Sequence, residues 1–127
     1  MTNEQARELG RRWLAAGGPM LEAMMWAARD ALTGEECEGR YPESGLLNSE
    51  VYREPWPDFR DGATKGAALE WLREQWDEPA MAPSYWDGQP DGCDGWDLTA
   101  GERPILGVNL DTEAELYPLA AEALVKT

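Results

Sequence analysis

Histidine is absent from this 127-residue chain. That removes the Ser-His-Asp and Cys-His nucleophile systems, in which an imidazole takes the proton from the attacking group. It also removes the commonest transition-metal ligand. Cysteine is nearly as scarce: Cys37 and Cys93 are the only two, too few for a structural zinc site. A disulfide between them is compatible with the sequence. A reduced intracellular pair is the preferred reading, because small secreted domains are usually denser in cysteine. Neither GxGxxG nor GxxxxGKS/T occurs, so nucleotide-binding loops of those types are missing. No apolar run approaches the roughly 18 residues that a membrane span needs, and the first residues include acids and no signal-type apolar core. The expectation is a soluble cytoplasmic protein.

Basic residues are the other shortage. Eleven Lys and Arg face twenty-five Asp and Glu, a formal net charge of −14. The imbalance is concentrated: residues 1–60 carry eleven acids and seven bases, residues 61–127 fourteen acids and four bases. From Glu74 to Glu102 there are eight acids and no base. Direct contact with a nucleic-acid backbone is disfavoured, because affinity there comes from Lys and Arg. An anionic membrane surface would repel the chain. A basic protein partner would be attracted and steered toward it. The plainer reading of the same charge is solubility.

What the chain does have is tryptophan, seven residues against a single Phe, which argues against disorder. Its length sets one domain, residues 1–127. Thr2 and Gln5 form a capping box ahead of Ala6, Leu9 and Trp13, predicting a helix over 3–16. In "MLEAMMWAARDAL", Leu21, Met24, Met25, Ala28 and Leu32 share one helical face, so a second helix is expected over about 20–32. Residues 35–60 read as an irregular connection, with a short strand near 46–52. Asp61 is the expected N-cap of a third helix over 63–77, with Ala68, Leu69, Leu72 and Trp76 on one face and Phe59 packing back on its first turn. Residues 78–95 are dense in Pro, Gly and acids and read as an acidic loop. "WDLTA" and "ILGVNL" alternate as strands, predicting a hairpin over about 96–110. Pro118 suits the first turn of a last helix over 118–125, entered by a short turn from Thr112. The order predicts an α+β fold: a small antiparallel sheet covered by about four helices.

Three groups of residues are candidates for function. The stretch "WDGQPDGCDGWD" spaces Asp87, Asp91, Asp94 and Asp97 by four, three and three. An EF-hand needs oxygen ligands two apart and a closing Glu, so that motif is not met. Asp-Gly turns, a docking edge and an irregular Ca²⁺ cage remain, in that order. Glu70, Glu74, Asp77 and Glu78 crowd the end of the third helix, where acids are mildly destabilising; no nucleophile accompanies them, so hydrolase chemistry is disfavoured. Trp13, Trp26, Trp71 and Trp76 suit a core. Trp56 and Trp86 lie in expected loops, where an aromatic beside acids suits a protein contact. Trp96 opens a strand.

"PDFRDGATKGAALEWLREQW", then two strands, then "ELYPLAAEALVKT", resembles a group of small bacteriophage and prophage proteins described as the phage ABA sandwich domain. The matching positions are Pro57, Asp58, Phe59, Asp61, Ala67, Ala68 and Trp71, then Pro118, Leu119, Ala120, Ala123 and Leu124. The acidic insert before the strands is longer than in that pattern. The resemblance implies phage origin and a helix-covered sheet, and no activity. With it, the expectation is a non-enzymatic protein, without cofactor, that binds a host protein having a basic groove. It would act as an anti-defence inhibitor of a nuclease or CRISPR-type effector by imitating nucleic-acid charge. The acidic surface would be Glu74, Asp77, Glu78, Asp87, Asp91, Asp94, Asp97 and Glu102, with Trp56 and Trp86 as aromatic contacts. A nucleotide-signal sponge is the alternative if Arg40, Arg53 and Arg103 converge. A calcium-binding module and a virion accessory protein are two more.

Overall fold

The computed structural model describes residues 1–30, 32–40, 52–87, 94–101, 103–108 and 110–125, with the backbone alone at Tyr52, Arg53, Glu54, Trp86, Asp87 and Asp94. The first helix, α1 (Asn3–Ala15), starts as its sequence dictates. The Thr2 hydroxyl accepts the Gln5 N–H, and the Gln5 side chain accepts the Thr2 N–H. Its inner face is Ala6, Leu9, Gly10 and Trp13. The Trp13 indole N–H donates to the Pro19 carbonyl at 2.8 Å, fixing the chain that leaves the helix.

No second helix follows. Ala23 takes a left-handed φ of 74°, the chain turns, and β1 (Met25–Asp30) begins. Trp26 and Ala28 are buried on one face of that strand, and Ala27 on the other, against Ala6 and Trp56. A strand covered on both faces loses its period of two, and its apolar run reads equally well as one side of a helix. Leu32, assigned to that helical face, is instead 94% exposed in the turn after β1. There the Asp30 carboxylate accepts the N–H groups of Leu32 and Thr33.

The expected irregular connection over 35–60 holds two strands, β2 (Glu36–Arg40) and β3 (Tyr52–Pro57). Both pair antiparallel with β1, giving the order β2-β1-β3. Pro55 and Pro57 conceal β3 in the sequence; they are tolerated because β3 is an edge strand. The short strand expected near 46–52 lies outside the described residues except at Tyr52, where β3 opens.

The second long helix, α2 (Gly62–Gln75), is capped by Asp61 as expected. Phe59 is buried, stacked on Tyr117 and edge-on to Trp13. The acidic stretch 78–95 is not all loop: β4 (Met81–Asp87) and β5 (Asp94–Ala100) form the main hairpin, from Met81 opposite Ala100 to Asp87 opposite Asp94. The hairpin expected at 96–110 is displaced accordingly. β6 (Arg103–Pro104) adds two residues to β5, and Trp96 bridges Leu110. A 3-10 turn, Glu113–Glu115, with Thr112 as its cap, leads into α3 (Leu116–Val125) and puts Pro118 in the first turn.

The fold is α+β. The described residues hold two three-stranded antiparallel sheets and three α-helices, in place of one hairpin sheet and four helices. α1 packs on β3, α2 on β4 and α3 on β5, and α3 touches both other helices. The main core is Trp13, Met24, Phe59, Leu72, Met81, Leu98, Leu116 and Tyr117, all at most 1% exposed. Among the described residues no helix is long and apolar enough to cross a membrane.

Candidate functional site: the acidic groove along α2

The carboxylates at the end of α2 are set by how that helix stops. Asp77 takes φ 53°. The Glu78 N–H then reaches the Arg73 carbonyl at 2.9 Å and the Asp77 N–H the Glu74 carbonyl at 3.3 Å. This pair of bonds is a Schellman stop, with an aspartate where glycine is usual. Glu70, Glu74 and Asp77 are exposed. Glu78 is not a free acid: the Arg103 guanidinium holds its carboxylate.

The other expected acids divide. Asp97 is 3% exposed, and its Oδ1 accepts the N–H groups of Leu98 at 2.7 Å and Leu106 at 3.3 Å. It ties the segment after β6 to β5 and cannot face a partner. Asp87 and Asp94 are cross-strand partners at the end of the β4–β5 hairpin where the chain passes from one strand to the other. Asp91 and Glu102 lie outside the described residues. Of the two aromatic contacts, Trp56 is corrected: it is 3% exposed, in β3 rather than a loop, packed against α1. Trp86 belongs to β4. Tyr85 was missed. It is 54% exposed and edge-on to the half-buried Trp96 at 5.4 Å.

Sequence reasoning also missed what lies beside α2. An open groove of about 440 Å³ is lined by Leu21, Glu22, Ala23, Ala67, Glu70, Trp71 and Glu74. It continues past Glu70 and Glu74 to Arg73, Asp77 and Pro79. Leu21, Ala67 and Trp71 are half-buried, whereas Glu22, Glu70 and Glu74 are exposed. No described ion pair involves those three glutamates. Helical spacing alone places Glu70 beside Glu74. Glu22 joins them only because residues 20–24 turn instead of forming a helix.

Most described bases are engaged elsewhere. Arg12 holds Glu115 and Glu122, which raises its pKa above the ordinary value, chiefly through the hydrogen bond to Glu122. Arg60 holds Asp58, Lys65 lies 3.8 Å from Glu113, and the Arg73 Nε donates to the Met81 carbonyl at 2.8 Å. Arg40 grips both oxygens of Asp61, at 2.5 and 2.9 Å. It binds at the head of α2, while Arg103 binds Glu78 beyond its tail. The 14 residues between span about 20 Å, so these two do not converge on one anion. Among the described residues no three acidic or sulfur side chains gather into a group able to hold a metal.

The chain matches no family model, no curated protein and no solved structure.

Proposed function

We propose that this is a phage-encoded, non-enzymatic protein that binds a host protein through its acidic surface and occupies a Lys/Arg-lined groove that otherwise holds nucleic acid. An anti-defence inhibitor of a nuclease or CRISPR-type effector is the form that fits the charge best. One observation carries the reading: Arg12, Arg40, Arg60 and Arg103 are tied to carboxylates within the fold and Arg73 to the Met81 carbonyl, while Glu22, Glu70, Glu74 and Asp77 are exposed and form no described ion pair. A surface of this sign is attracted by the same field that concentrates phosphate in a basic cleft. The contact surface expected from the sequence is redrawn. Asp97, Glu78 and Trp56 leave it, and Glu22 and Glu70 join Glu74 and Asp77. The test is association with a basic-groove nuclease or CRISPR-type effector, measured across a salt titration with DNA as competitor. Affinity falls about tenfold or more between roughly 50 and 200 mM salt, and DNA displaces the protein. An affinity flat in salt, or indifferent to DNA, overturns the reading.

A further inference from the structure

The groove beside α2 differs from a plain acidic patch in having an apolar, aromatic floor. Leu21, Ala67 and Trp71 line it, with Glu22 on one side and Glu70 and Glu74 on the other. Glu70 and Glu74 are one helical turn apart, so their Cβ atoms lie about 6 Å from each other. The floor and one wall are fixed from behind. Trp71 lies edge-on against Trp13 at 5.2 Å and 66°, and Trp13 is held by its bond to the Pro19 carbonyl. The wall on the Glu22 side carries Ala23 in its left-handed conformation, with its carbonyl accepting from Arg40 at 3.1 Å.

We infer that this groove is the docking site for an arginine side chain projecting from the basic partner, an inference that rests on the function proposed above. Charge complementarity selects a cation: the groove section containing Trp71 is lined by three carboxylates and no base. The floor selects the kind of cation. A guanidinium is planar and weakly hydrated, stacks on an indole, and reaches two carboxylates with its fork of donors. An ammonium is a compact, strongly hydrated charge, and gains less from an apolar floor. A preset floor and wall limit the ordering that binding would otherwise require.

The probes are fluorescein-labelled nine-residue arginine and lysine peptides, titrated into the full chain at low salt. The arginine peptide binds more tightly than the lysine peptide and shifts the Trp71 indole N–H resonance. In Glu70→Gln/Glu74→Gln its dissociation constant rises about tenfold. In Glu4→Gln/Glu8→Gln, which removes the same charge from the exposed face of α1, it changes less than about twofold. Trp71→Phe, which keeps every charge, also weakens binding, and circular dichroism confirms that each variant is folded. Equal losses in the two double variants, or equal affinity for the two peptides, overturn the groove and leave the acidic binder standing. No binding of either peptide to the wild type overturns both.

Discussion

Asp77 occupies a backbone position made for glycine. Its φ of 53° costs a residue with a Cβ about 1 kcal/mol, and its carboxylate sits at the negative end of the α2 dipole, one turn from Glu74. Asp77→Gly relieves both terms and is expected to raise stability by about 1 kcal/mol, read as a higher urea midpoint at unchanged slope. An unchanged or lower midpoint would mean that the carboxylate makes a compensating contact. Gly10 is the opposite case, a glycine inside a helix that cannot be replaced. A Cβ there would lie 2.6 Å from the Pro57 carbonyl oxygen and 3.0 Å from Trp56. Gly10→Ala would gain helix propensity at an exposed site; here it is expected to cost about 1–3 kcal/mol, because α1 must move away from β3. Thermal denaturation decides the sign. The sequence shows a glycine in a helical pattern in both settings, and only the strand crossing behind it separates them.

At the scale of elements, the head of α2 joins three pieces of chain. The Asp61 carboxylate accepts the Thr64 N–H at 2.9 Å and both donors of Arg40 at the end of β2, while Thr64 Oγ1 accepts the Met25 N–H at the start of β1. The hydrogen bond from Arg40, with those from Thr64, holds the Asp61 pKa at about 2, below the ordinary 3.8. The folded-state value is the lower one, so this stabilisation is complete above pH 3.8 and is lost as pH falls through about 2. Arg40 is 41% exposed, so screening trims the contribution to on the order of 1 kcal/mol. Asp61→Asn keeps a competent N-cap but surrenders the ion pair. Its stability between pH 4 and 2 should therefore fall less steeply than that of the wild type, measured by urea unfolding at each pH. A parallel decline would place the acid sensitivity in other carboxylates. Asp61 as a cap, the Thr2–Gln5 box and the entry of the last helix were legible because capping is local chemistry. β1, β3 and β4 were not. β1 is buried on both faces, and β3 and β4 carry proline at sheet edges, so neither alternation nor composition marked them. The acidic groove was hidden for the same reason: placing Glu22 opposite Glu70 requires knowing that residues 20–24 turn.

For the whole molecule, two electrostatic effects compete, and salt separates them. The ion pairs of Arg12, Arg40 and Arg103 link distant elements, and that of Arg60 with Asp58 is local; added salt weakens each. Partly exposed pairs contribute only about 0–1 kcal/mol apiece, however. Against them stands the repulsion among the acids that make up a net charge of −14, and salt relieves it. The uneven distribution, with fourteen acids and four bases after residue 60, was legible from the sequence and determines which effect wins. What composition could not reveal is that Asp97 and Glu78 spend their charge inside the fold, while Glu70, Glu74 and Asp77 stay exposed along α2. Raising salt from about 20 to 300 mM at neutral pH should therefore increase the melting temperature by a few degrees. It should at the same time weaken association with a basic partner. The two responses have opposite signs because the same carboxylates repel one another in the free protein and find cations in the complex. Glu70→Gln/Glu74→Gln should reduce both slopes together. If it flattens the binding slope while the melting slope is unchanged, the strain of the free protein resides in other acids, and the α2 groove is a contact surface without being the main site of self-repulsion.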